Sequence, residues 1–289
     1  MLTLCSWKRT LQEHFLSRRT LVFGTRELWW TCEGAISFDT LPTQRLDHVP
    51  VIQRKQGGSR FALEYWRSIV RDYTRRFLTW PNDKLPAIAG VAQVYSQFFN
   101  CRYLAGLWEN SLESELMWCS NRSDITRPLA QRAPSWSWAS VDGEIHHKWC
   151  EISPDPTVTI IECHITPVSH SSSFGLVDPT RTFLRVRCAL IEASWQSDRQ
   201  YISTLQKRTP KYHGRDEERG TFTRAGRTQA DALESNVPDE VWILPLSREP
   251  VRGLILVRVE NEVYRRVGLV LRLWSTTSIL EPERTITIF

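Results

Sequence analysis

Apolar positions along the chain follow two periods, and the places where one gives way to the other divide it into parts. Leu11, Phe15 and Leu16 are spaced for a short helix over 10–17, with Arg18 and Arg19 complementing the negative end of its dipole. Leu21–Phe23 and Glu27–Cys32 then flank a Gly24-Thr25 turn signal, which predicts a β-hairpin. From Ser37 to Arg60 neither period holds, and Pro42, Pro50, Gly57 and Gly58 mark a linker. Helical spacing returns with Trp66, Ile69, Val70, Tyr73 and Phe77, while Arg67, Arg71, Asp72 and Arg75 take the opposite face. Pro81 ends this helix; Asn82 or Asp83 can cap a second, with Pro86 in its first turn and Ile88, Val91, Ala92, Tyr95 and Phe98 as its stripe. A third, shorter helix is expected from Ser111 into Leu116, Met117 and Trp118.

After Pro134 the period becomes two. Ser135–Ser140 alternates polar and aromatic residues, as a half-buried strand does, which would put Trp136 and Trp138 on one face and Ser135, Ser137 and Ala139 on the other. Further β-rich runs lie at Thr157–Ile165, Thr182–Ala193, Val241–Leu246, Leu254–Val259, Gly268–Trp274 and Thr285–Phe289. Gln206–Glu240 has few apolar residues to offset the entropy of ordering it, so a mobile insertion is expected at 206–240. The whole predicts an α+β fold: a helix plus hairpin over 1–36, a linker over 37–59, a helical region over 60–133, and an antiparallel β-rich module over 134–289.

Composition adds three points. With 289 residues, 41 % hydrophobic and 24 % charged, the chain can bury a core without disulfides. Its seven cysteines form no Cys-x-x-Cys pair, as in reduced proteins. A net charge of +5 comes from scattered arginines rather than a basic stripe, which gives nucleic-acid binding no support. No run approaches the roughly 18 apolar residues of a membrane span, and the first residues lack the order of a signal peptide, so a cytoplasmic location with no membrane partner is expected. The outlier is tryptophan, at 13 residues, which implies a rigid aromatic core, a recognition surface, or both.

Candidate chemistry is sparse. His146, His147 and Cys150, followed by Cys163 and His164, have zinc-binding side chains, but neighbours on a strand point to opposite faces and the spacing fits no zinc pattern; no metal and no cofactor are expected. No signal marks a low-pKa thiol beside a histidine, and phosphate loops and the Gly-x-Ser-x-Gly elbow are absent. Asn121-Arg-Ser123 matches a glycosylation acceptor and reads as a solvated loop. Trp136 and Trp138 admit two readings, a seam between helices and sheet or a platform for a ligand or partner, and the first is favoured because aromatic stripes at such spacing are usually core.

Several segments in one order resemble the C-terminal region of heterokaryon incompatibility (HET) domain proteins of filamentous fungi. They are Arg9–Glu13 with Leu16–Arg19 and Trp30–Cys32; Trp66 with Ile69, Val70 and Tyr73; Leu78-Thr79 leading to Asp83–Gly90; and Tyr103–Trp108 with Met117-Trp118. They continue with Ala133-Pro-Ser-Trp-Ser-Trp-Ala-Ser-Val-Asp-Gly143, then Leu244–Leu246, Gly253–Leu256 and Tyr264–Gly268. The earlier blocks of a HET domain do not occur, and Trp7 and Arg9 stand where its last block would carry Arg and Trp, so 1–36 would be the edge of that domain. The resemblance implies a non-catalytic accessory or regulatory module in self/non-self recognition and programmed cell death, with a HET domain or another incompatibility protein as partner. The alternatives are a small-ligand or metal-dependent enzyme in the β-rich module, or a truncated product without retained function.

Overall fold

The computed structural model describes Leu16, the backbone of four strands between 19 and 45, and residues 59–289 apart from 77, 121–124, 149–156, 170–172, 196–199, 207–220, 235 and 275–281. The expected helix at 10–17, all but Leu16, lies outside the described residues, as do Cys150 and Asn121–Ser123. β1 (Arg19–Phe23) and β2 (Leu28–Cys32) pair antiparallel, as the sequence signal at Gly24-Thr25 predicts. Instead of a linker beginning at 37, β3 (Ala35–Phe38) and β4 (Leu41–Arg45) continue the sheet in the order β1-β2-β3-β4. Pro42 is tolerated there because β4 is an edge strand, where a residue without an N–H breaks no ladder bond on its free side.

The helical part follows the apolar stripes. α1 (Ser59–Arg75) buries Trp66, Ile69, Val70 and Tyr73, and α2 (Pro86–Phe99) buries Ile88, Val91, Ala92 and Tyr95. Neither Asn82 nor Asp83 caps α2: both lie in a 3-10 turn over Pro81–Lys84, and Leu85 precedes the helix, whose first residue is Pro86. Asn100, at φ 46°, ends α2 in the left-handed region. β5 (Tyr103–Leu104) and β6 (Leu107–Trp108) form a tight hairpin turned by Ala105 and Gly106, both at positive φ. The third helix, α3 (Leu112–Glu115), is only four residues long. β7 (Cys119–Ser120) pairs with β8 (Ile145–His146).

The β-rich region comprises β9 (Val158–His164), β10 (Phe183–Cys188), β11 (Ile191–Trp195), β12 (Tyr201–Gln206), β13 (Thr221–Ala230), β14 (Glu240–Arg248), β15 (Val251–Glu260), β16 (Val263–Leu273) and β17 (Arg284–Ile288). Six of them run β13-β12-β11-β14-β15-β16, and β13 pairs again with β16, which closes an antiparallel barrel; β17, β10 and β9 extend from β16 as an open flap. Thr221–Ala230, inside the stretch expected to be an insertion, is thus the strand that closes the barrel, because closure needs hydrogen-bonding backbone and small inward residues more than bulk. Ala225 and Gly226 supply that smallness: a Cβ on Gly226 would lie 2.6 Å from the Arg272 carbonyl oxygen.

Two cores result. Ile191, Ala193, Trp195, Ile202, Ile243, Ile255 and Val270 belong to one, within the barrel. The larger core joins α1, α2 and the β5–β6 hairpin to Trp242, Leu244, Leu254, Leu256 and Leu269 of the same barrel strands. β14 and β15 are therefore buried on both faces, which is why they read as continuous apolar runs rather than alternating ones.

Candidate functional site

Residues 133–143 pack into the larger core through Ala133, Trp136, Trp138, Ala139 and Val141. They do not form the alternating strand expected of them; they run through a turn into a 3-10 helix at Trp138–Ser140. The reason is tertiary hydrogen bonding. The Ser137 hydroxyl accepts from the Ala139 N–H at 3.0 Å and donates to the Ala105 carbonyl at 2.5 Å, curling the backbone back on itself. Trp138 Nε1 donates to the Gly106 carbonyl at 2.9 Å, and Trp118 Nε1 donates to the Trp136 carbonyl at 2.8 Å. Trp136 and Trp138 are both 0 % exposed, so neither presents a ring to solvent.

The carbonyls this turn leaves without backbone donors are taken by buried cations. Arg132 donates to Ala139 O at 2.7 Å and Val141 O at 2.8 Å and pairs with Asp142 at 2.6 Å, while Lys84 Nζ also reaches Val141 O and lies 5.7 Å from the Trp138 ring centre. Ser135 stands at the point where β16 leaves β17 for β13. Its hydroxyl accepts from the Arg266 N–H at 2.9 Å and donates to the Phe289 carbonyl, bridging the split in the sheet. Arg266, fully buried, forks onto Asp231 with both contacts at 2.9 Å, donates to the Leu116 and Trp118 carbonyls, and stacks 3.7 Å above the Trp118 ring. Such a pair offsets its desolvation only because each of the three guanidinium nitrogens finds an acceptor.

A second buried group of charges lies under α1. Arg67, expected on the outer face, turns inward and donates to Glu115 Oε1 at 2.9 Å. His147 Nε2 lies 3.8 Å from the same oxygen, and both ring nitrogens of His147 and Oε2 of Glu115 have no hydrogen-bond partner. Burial pushes the Glu115 carboxyl up to about 7 against the pull of Arg67, and pushes His147 down to about 3 with help from Arg67 and Arg266.

Of the zinc-type residues, His146 faces Glu144 at 3.1 Å, Cys163 is buried in β9, and exposed His164 stacks on Phe183. Among the described residues no three His, Cys, Asp or Glu side chains stand together as a metal site requires. The thiols of Cys119 and Cys163 are pushed up, to about 11 and about 12, by burial, the opposite of an activated nucleophile.

Beside the 133–143 block opens a cleft of about 700 Å3, walled by Ser135 and Ser140 on one side and by Val259, Val263 and Arg265 of the barrel on the other. Arg127 lines it too, but its guanidinium is held by Glu234 at 2.6 Å, Ser140 at 2.6 Å and the Arg266 carbonyl at 2.9 Å. Leu129, next to Pro128 of the lining, is fully exposed, as is much of Val259. Arg127, Asp231 and Arg266, which pair with one another, lie far apart in the chain, and nothing in their spacing marks them. Among the described residues no helix is long and apolar enough to cross a membrane. The chain matches no family model, no curated protein and no solved structure.

Proposed function

We propose that this chain is a non-catalytic binding module of the heterokaryon-incompatibility type, acting in fungal self/non-self recognition, whose partner contacts the cleft beside residues 133–143. One observation carries the reading: the three serine hydroxyls of the most distinctive block, Ser135, Ser137 and Ser140, and the indole N–H of Trp138 are engaged in hydrogen bonds that hold the protein together. What stays open is a cleft of mixed polar and apolar lining, with exposed Val259 in its wall and exposed Leu129 next to Pro128, the mixture found at contact surfaces. The resemblance names the partner class, a HET domain or another incompatibility protein in the cytoplasm.

The experiment is expression in a filamentous fungus. The chain alone leaves growth normal; joined behind a complete HET domain it gives growth arrest, and Leu129→Asp with Val259→Asp changes that arrest while the purified variant keeps the wild-type melting point. Death caused by the unjoined chain overturns the reading. So does an arrest that the cleft variant leaves unchanged. The cleft volume also falls in the range of small-ligand sites, so turnover of a small molecule that the same two substitutions abolish would support the enzyme alternative instead.

A further inference from the structure

Glu115, in α3, sits between two potential partners and fully engages neither. Its Oε1 accepts from Arg67 Nε of α1 at 2.9 Å, its Oε2 has no partner, and His147, in the segment following β8, lies 3.8 Å away with both nitrogens unpartnered. The Glu115 and His147 side chains are 0 % and 3 % exposed, so bulk solvent does not reach them. Arg67 is better supplied: it also donates to Glu64 Oε1 and to Ser114 Oγ, each at 2.8 Å.

We propose that Glu115 exchanges partners on protonation, holding Arg67 while ionised and His147 while neutral, so that one buried proton resets the contact between α1 and the segment following β8. The chemistry is a proton taken from solvent. The neutral carboxyl gains an O–H donor, His147 is already a neutral acceptor, and closing their gap requires a shift of about one ångström to reach hydrogen-bond distance. Arg67, losing its anion, keeps Ser114 and Glu64, the latter at the surface. The groups facing the pair are Arg67 and Glu64 of α1, Tyr103 of β5, His146 of β8 and Arg266 of β16. Arg67 favours the ionised carboxylate, Glu64 disfavours it, and Arg67, Arg266 and His146 all keep His147 neutral. Burial outweighs Arg67 and brings the Glu115 midpoint to about 7, so the exchange falls in the physiological range.

The sign differs between the two groups. Glu115, raised from 4.5 to about 7, adds stability that is present below pH 4.5 and lost as pH rises through 7. His147, lowered from 6.5 to about 3, adds stability that is present above 6.5 and lost as pH falls towards 3. The full chain, labelled at histidine nitrogens, is titrated by NMR on both sides of the Glu115 midpoint while amide exchange is followed in α1. The expected result is a one-proton shift of a His147 ring nitrogen near pH 7 without imidazolium formation, and faster exchange around Arg67 on the acid side. Glu115→Gln, a neutral donor at every pH, should show the acid-side signals throughout. A His147 signal that does not move in the wild-type chain, or a transition that persists in Glu115→Gln, overturns the proposal. Should Glu115→Gln fail to fold, His147→Asn leaves Glu115 acting alone, and its melting temperature must rise as pH falls from about 7 to 4.5; a flat or falling profile overturns it equally.

Discussion

Gly106 and Trp138 depend on one another. At φ 108° Gly106 occupies backbone that other residues enter with strain, and a Cβ there would stand 2.7 Å from Nε1 and 2.8 Å from Cε2 of the Trp138 indole. The same indole donates to the Gly106 carbonyl, so the hairpin turn is both floor and hydrogen-bond partner for the ring. Gly106→Ala should cost roughly 2–4 kcal/mol, from positive-φ strain and overpacking together, and Trp138→Ala about 3–5 kcal/mol from the cavity. Because the alanine at 138 removes what the new methyl strikes, the double variant should cost about 1–3 kcal/mol less than the sum. Urea denaturation of the four proteins measures this coupling; strict additivity would mean that the close approach is not what constrains residue 106.

At the scale of elements, the hairpin of β14 and β15 rests on Gly253. Opposite Pro245, which has no N–H to give, the strands close until a Cβ on Gly253 would lie 2.0 Å from the Leu244 carbonyl oxygen and 2.8 Å from its carbon. Since the obstacle is backbone, Gly253→Ala must part the strands, and the expected outcome is a large fall in melting temperature and soluble yield. Wild-type melting of Gly253→Ala would disprove the close approach. The run Leu254–Val257 was legible as a strand because β-branched and leucine residues buried on both faces leave a continuous apolar signal. So were α1 and α2, whose stripes need only local spacing. β13 was not: facing a small barrel interior it needs Ala225 and Gly226, and its remaining residues read as a polar insertion. The Ser135–Ser140 alternation misled for a related reason. Its conformation is set by the carbonyls of Ala105 and Gly106 and by the indole of Trp118, all distant in sequence, and no local period encodes them. Arg67 likewise looked like a solvent-face residue until Glu115, 48 positions away, supplied the buried anion.

For the molecule as a whole, the barrel and the helical part should unfold together, because Arg266 couples them. It leaves β16, a barrel strand, to donate to Leu116 O at 2.5 Å and Trp118 O at 2.7 Å beyond α3, and Asp231 neutralises it between the two. The two parts cannot separate without stripping the buried guanidinium of its Leu116 and Trp118 acceptors, so secondary structure by circular dichroism and tryptophan burial by fluorescence should report one midpoint. Asp231→Asn leaves the cation in place without its anion and should lower both signals together, at a cost of about 3–5 kcal/mol. Removing both charges, with Asp231→Leu and Arg266→Met, should cost less than the single change, since an apolar pair carries no uncompensated charge even though the Leu116 and Trp118 carbonyls lose their donor. Two separate midpoints in the wild-type chain would show that the parts fold independently. A double variant worse than Asp231→Asn would show instead that Arg266 matters through its carbonyl bonds and its stacking on Trp118, not through its charge.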